Sequence, residues 1–186
     1  MNDIERLKKY KLQTNKLYSA YGKFAVEFEQ MCESIRHCLI FTLHSSGLKE
    51  QKFARILLAD QTASPLISKL TAFVAEVYSK EPDKVKYLQP LFKFCIDINE
   101  KRNEIIHGTW YIGWASAEQT DFSRANGAKD KITKKGIRND GLDFSVAEFH
   151  ELSEKIIKAN EMIRRLSVCI TRGADLKKNV VIEKLK

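Results

Sequence analysis

Three prolines and eight glycines are all that interrupt 186 residues, a scarcity that favours long helices over a turn-rich sheet protein. Long hydrophobic runs are missing too. The longest candidate, Cys38 to Leu43, falls far short of the roughly 18 residues that would point to a membrane span. Met1 to Tyr10 is charged and has no apolar centre, so it does not read as a signal peptide. The expected address is therefore the cytoplasm, with no membrane partner. Four cysteines are present (Cys32, Cys38, Cys95 and Cys169), and none forms a CxxC pair. Each lies in an apolar, helix-like segment, where free cysteine behaves as a small hydrophobe. Cys32, His37, Cys38 and His44 are numerous enough for a zinc site, but their spacing does not put four ligands on one helical face, so no metal or cofactor is expected. Glycine-rich phosphate loops, serine–histidine–acid arrangements, internal repeats and low-complexity tracts are also absent.

What the chain does have is a core and a charge. Apolar residues make up 44%, enough for a packed interior and against wholesale disorder. The net charge of +8 and pI near 9.3 favour polyanionic partners, though a soluble protein that is merely basic carries the same numbers. The length fits one domain, here residues 1–173, with a basic C-terminal tail over 174–186.

Apolar residues recur at helical steps. Tyr18, Tyr21, Phe24, Phe28, Met31, Ile35, Cys38 and Leu39 define a first helix over about Lys16 to His44, stopped by Ser45-Ser46-Gly47. A short helix over about Leu48 to Leu58 follows. Thr62 reads as the N-cap of a third, with Pro65 in its first turn and an end near Ser79. The fourth runs from Asp83 to His107, with Gly108 placed as its C-terminal cap and Pro90 as a start or a bend. Ser145-Val146-Ala147-Glu148 is a capping box that opens the last long helix, which should end near Gly173. Beyond it, only Val180, Val181 and Ile182 have anything to pack. Between the fourth and last helices, residues 109–143 change character. Trp110, Ile112 and Trp114 alternate as in a strand, and Asn126-Gly127, Gly136 and Asp140-Gly141 are turn formers. The expectation is a small β-hairpin or a long loop inserted before the last long helix of a mainly α protein.

The chemistry gathers at the end of the fourth helix, Lys101-Arg102-Asn103-Glu104-Ile105-Ile106-His107-Gly108. Leu88, Leu91, Cys95 and Ile98 set an apolar rhythm whose next positions are 102 and 105. Isoleucine stands at 105, but arginine stands at 102. A buried, unpaired guanidinium costs several kcal/mol, so either its stem reaches solvent or the stripe opens there onto a polar cleft or subunit seam. Asn103 and His107 are four apart and share a face. A fixed cation, an amide and an imidazole suit phosphodiester chemistry. Arginine neutralises phosphate, and histidine moves a proton near neutral pH. No carboxylate cluster for magnesium accompanies them, which leaves an RNA 2′-hydroxyl as the natural nucleophile. The plainer reading is that arginine and histidine in a last turn complement the helix dipole.

The order Arg102-Asn103-Glu104-Ile105-Ile106-His107, an arginine followed by a polar residue and then a histidine five on, resembles the Arg-x4-His signature of HEPN domains. It falls late in a late helix, with glycine next, as in that family. The likeness in helical order covers roughly Lys16 to Gly173, and its specific part is the six-residue motif. The resemblance implies an up-and-down bundle of four to five helices that pairs as a homodimer, with two motifs meeting in one composite site. It further implies metal-independent cleavage of RNA to a cyclic phosphate and a 5′-hydroxyl, in toxin or phage-defence roles. By position, Arg102 and His107 would be the catalytic pair and Asn103 their polar helper. Residues 109–143 have no counterpart in this picture.

Further candidates surround the motif. Arg124, Lys129, Lys131, Lys134, Lys135 and Arg138 form a basic run in the insertion that can hold an RNA backbone or simply solvate a loop, and Lys101, next to the motif, is a further RNA-binding candidate. Trp110, Tyr111 and Trp114 can stack on bases or cover the core beneath a hairpin. Alternatives to a ribonuclease are a non-catalytic RNA- or protein-binding module and a regulatory helical partner such as an antitoxin.

Overall fold

The computed structural model describes residues 3–113 and 121–185. The protein is mainly helical, with six α-helices and one three-stranded antiparallel sheet among the described residues: α1 (Asp3–Ser45), α2 (Gln51–Leu58), α3 (Ala63–Val77), α4 (Pro82–Ile106), β1 (Thr109–Trp110), β2 (Arg124–Thr133), β3 (Gly136–Ser145), α5 (Val146–Arg172) and α6 (Leu176–Asn179), followed by a 3-10 turn over Ile182–Leu185. No helix of the described residues is long and apolar enough to cross a membrane.

The chain gathers into two compact units. The first comprises Met1–Val26 and Lys101–Glu154, the second Glu27–Glu100 and Lys155–Lys186. In the first unit, Tyr21, Phe24, Trp110, Phe144 and Phe149 form a connected set of rings. Centroid separations run from 5.2 Å for the stacked Phe144–Phe149 pair to 6.3 Å for Phe24–Phe149. The first turns of α1 were not expected as helix because they have little apolar rhythm. They are held by partners remote in sequence. Tyr10 packs on Phe122 with centroids 4.6 Å apart, and the Gln13 amide donates to Asp121 at 2.7 Å and accepts from the Phe122 N–H at 3.2 Å.

The second unit buries aliphatic and thiol side chains. Met31, Ile35, Cys38 and Leu39 of α1, Leu66, Leu70 and Val74 of α3, Leu88, Leu91 and Cys95 of α4, and Ile163 and Leu166 of α5 are all essentially inaccessible. Helix α4 passes through Pro90 unbroken and takes Pro82 as its first residue, the position where a missing N–H costs least. The tail beyond Gly173 is folded rather than loose. Asp175 caps α6 by accepting from the Lys178 N–H at 2.9 Å, Leu176 and Val180 are buried, and the Tyr87 hydroxyl donates to the Val180 carbonyl at 2.7 Å.

The insertion is a hairpin, but its turn lies where one of the three expected glycine signals stood and not at the other two. β2 and β3 pair continuously from Arg124↔Ser145 to Thr133↔Gly136, with β1 on the outer side of β2. Asn126-Gly127 and Asp140-Gly141 therefore sit inside strands. The reversal is Lys134-Lys135-Gly136, with Gly136 at φ +107°, the left-handed position that closes such a hairpin. Thr133 Oγ1 braces it, accepting from the Lys135 N–H at 3.2 Å and donating to the Gly136 carbonyl at 2.8 Å. Gly127 answers a different need. A Cβ there would lie 2.6 Å from the Thr109 carbonyl oxygen and 3.0 Å from the Trp110 ring, so glycine is what lets β1 lie against β2. The strand expected from Trp110 onward is confined to β1, and Trp114 lies outside the described residues.

Candidate functional site

The site is built where α4 stops, within the first unit. The apolar rhythm of α4 continues to its end, with Ile98 and Ile105 buried, and the charged interruption at Arg102 is half-buried. Its guanidinium Nη1 donates to Asn103 Oδ1 at 3.3 Å, so the amide next in sequence orients the cation. Tyr21 lies within electrostatic reach. Burial raises its hydroxyl pKa above the ordinary value, and the Arg102 charge draws it part of the way back. Residue 102 is thus the place where the stripe opens from hydrocarbon to polar groups. Sequence periodicity located that opening but not Tyr21, which looks like any other apolar-stripe residue in α1.

The helix end itself is capped by side chains from the insertion. Lys129 Nζ donates to the Asn103 carbonyl at 2.6 Å, and the Trp110 indole N–H donates to the Ile105 carbonyl at 2.8 Å. Together they satisfy carbonyls that a terminating helix leaves open, and the Lys129 ammonium supplies the cation that the negative end of the dipole favours. Gly108, expected as a left-handed cap, does not adopt positive φ. It allows close approach instead, since a Cβ there would meet Leu142 Cδ1 at 2.4 Å. His107 stands in the turn just past α4, exposed, with no hydrogen bond from its ring among the described residues.

The remaining candidates sort by what already engages them. Lys101 pairs with Glu104 at 3.0 Å and lies over the Phe144 ring at 5.1 Å. Trp110 is committed to the ring set and the α4 cap, whereas Tyr111 is exposed. Arg124 is held by Asp143 at 2.8 Å and Glu148 at 3.0 Å, and Arg138 by Asp140 at 2.8 Å. Lys134 and Lys135 are exposed at the hairpin turn with no ion pair among the described residues. No group of three or more His, Cys, Asp or Glu suited to a metal ion occurs among the described residues.

The fold and site together define a mainly helical protein in which Arg102 and Asn103 are hydrogen-bonded near one helix end and an exposed His107 stands in the turn beyond it. Comparison with protein-family models, with curated proteins and with solved structures finds no match, so the functional reading rests on these residues and on the motif that carries them.

Proposed function

We propose that the protein is a metal-independent endoribonuclease of HEPN type, acting as a homodimer in which two copies of the Arg102–His107 segment form one composite site. The observation that carries the reading is the Arg102–Asn103 hydrogen bond in the last turns of α4, followed by an exposed His107 just past the helix, where Lys129 caps the Asn103 carbonyl. In the reaction, the RNA 2′-oxygen attacks the adjacent phosphorus and the 5′-oxygen leaves, giving a 2′,3′-cyclic phosphate and a 5′-hydroxyl. Arg102 neutralises charge building on the non-bridging oxygens. His107 takes the 2′ proton or returns one to the leaving oxygen. Asn103 is a positioning residue, because its Oδ1 fixes the guanidinium it accepts from. The +8 net charge supports a polyanionic substrate, and a toxin or defence role accords with the family resemblance.

The test is cleavage of single-stranded RNA by purified protein in excess chelator. His107→Ala is expected to lose a hundredfold or more in rate, on the order of a general acid–base contribution. Arg102→Ala should fall comparably, and Asn103→Ala less. Cleavage that is equal in wild type and His107→Ala, or missing from both, rejects the reading. Light scattering checks the dimer.

A further inference from the structure

The far end of the β2–β3 hairpin is built unlike an ordinary solvent loop. Ile132 and Ile137 are cross-strand partners and are 93% and 76% exposed. Two β-branched side chains opposite one another normally cover each other and a neighbour; here the pair is left open. The neighbouring pair Lys131↔Arg138 points to the opposite face of the hairpin, the next pair on the isoleucine face is Asp130↔Asn139, and Lys134 and Lys135 stand exposed at the turn beyond. Asp140 is shared by Lys131 and Arg138 at 2.8 Å each, and Asn139 engages Asp130 at 2.7 Å, so the acids are occupied and the two turn lysines are not. The tip is also ordered by the Thr133 hydrogen bonds at its turn. An apolar pair therefore stands at a fixed place beside two turn lysines that have no ion pair among the described residues.

That combination selects its occupant by charge. A second copy of the hairpin would bring the same cations into contact with these. A polyanion with apolar faces fits both halves of the tip, and in the ribonuclease reading, on which this inference rests, that polyanion is single-stranded RNA. We propose that the hairpin tip is an RNA-holding arm, with Lys134 and Lys135 on phosphates and the Ile132–Ile137 pair wedged against unstacked bases. Isoleucine serves as such a wedge between bases, and splayed single-stranded bases offer the faces it needs. The arm gives the enzyme hold on a length of strand beyond the scissile phosphate without reading its sequence.

The experiment measures binding apart from cleavage. The full chain is titrated against a fluorescein-labelled single-stranded 2′-O-methyl RNA, whose blocked 2′-oxygen prevents reaction, in chelator at several salt concentrations. Lys134→Ala/Lys135→Ala is expected to weaken binding about tenfold and to lower the salt slope by up to about two. Ile132→Ser/Ile137→Ser should weaken binding about fivefold with the salt slope unchanged, as for lost base contacts. Unaltered far-ultraviolet circular dichroism shows that both variants fold, as exposed positions should allow. Unchanged RNA affinity in both variants overturns the arm, as does tip-dependent binding to phosphatidylserine vesicles in place of RNA. The two proposals fail separately. If tip variants lose RNA affinity while His107→Ala still cleaves, the arm stands and the catalytic assignment falls. If His107→Ala abolishes cleavage while tip variants bind normally, the reverse holds.

Discussion

The two units of the chain differ in what they do with similar helical material. The second unit holds all four cysteines, each buried, among leucine, isoleucine, valine and methionine. Its buried Thr42 serves the backbone, with Oγ1 donating to the Cys38 carbonyl at 2.7 Å. The first unit is knit by aromatic rings, and its polar groups serve a helix end: a guanidinium held by an amide, a carbonyl capped by an ammonium, another by an indole. Aliphatic packing fills space without direction. Rings with N–H or O–H handles both fill space and fix polar groups, which is what a site requires. The difference teaches that α1, α4 and α5, which contribute to both units, change in character along their length, and that chemistry belongs to the stretch where rings replace aliphatics.

The largest expected effect separates the units by reactivity. Burial pushes the Cys38 and Cys95 thiols up to about 12, and Cys169 is raised as well. Because the thiolate is the nucleophile, a disulfide reagent at about pH 8 should react with Cys38 and Cys95 in the folded protein roughly a thousandfold more slowly than after unfolding in urea. Fast labelling of Cys38 or Cys95 in the folded chain would break the picture of a sealed aliphatic unit. Next comes Phe149, fully buried and touching Tyr21, Phe24, Trp110 and Phe144. Phe149→Ala should cost about 3–5 kcal/mol, read as a lowered urea midpoint of tryptophan fluorescence. Leu91→Ala, in the second unit, is expected at about 2–5 kcal/mol, read by thiol exposure. A Phe149→Ala protein as stable as wild type would show that the ring set does not hold the first unit together.

How much of this the sequence disclosed follows the reach of each signal. The capping box at Ser145 and the helix stop at Gly173 are local patterns, and both elements form where those residues stand. The break in the α4 stripe at Arg102 is periodic, hence also legible. The early turns of α1 were not, because what holds them, Asp121 and Phe122, lies far along the chain. Nor was Lys129: nothing in a run of lysines marks the one that will reach an α4 carbonyl. The glycines misled for the same reason. Asn126-Gly127 is a strong turn signal on local preference, yet Gly127 is set by a strand it meets only in the fold. Residue-by-residue preference cannot register such a contact.

Gly127 offers the next test of the comparison, since it joins the insertion to the helix-end site. With a Cβ 2.6 Å from the Thr109 carbonyl, Gly127→Ala must push β1 away, at a cost of about 1–3 kcal/mol. The displaced strand carries Trp110, so the indole cap on Ile105 should loosen with it. Faster amide exchange at the end of α4 than in wild type is the expected signature. Gly141→Ala serves as control, because a Cβ there meets nothing within 4 Å. Equal behaviour of the two variants would mean that β1 does not brace the site.

The smallest expected effect concerns the start of α5. Glu148 Oε2 accepts from the Ser145 hydroxyl at 2.6 Å and from its backbone N–H at 2.8 Å, while Ser145 Oγ accepts from the Glu148 N–H at 3.2 Å. These bonds, the Ser145 hydroxyl first, with a further contribution from Arg124, hold the Glu148 carboxyl below its ordinary value of 4.5. A carboxylate whose folded pKa is depressed stabilises the fold fully above the unfolded value, and that contribution is lost as pH falls through the folded one. Ser145→Ala should therefore lower stability slightly near neutral pH, with the gap to wild type narrowing as acid is added below about pH 4.5. A gap that stayed constant down to the acid limit would show that the cap works through the serine alone, and that the Glu148 charge, with the Arg124 cation beside it, takes no part in fixing where the hairpin hands over to the helix.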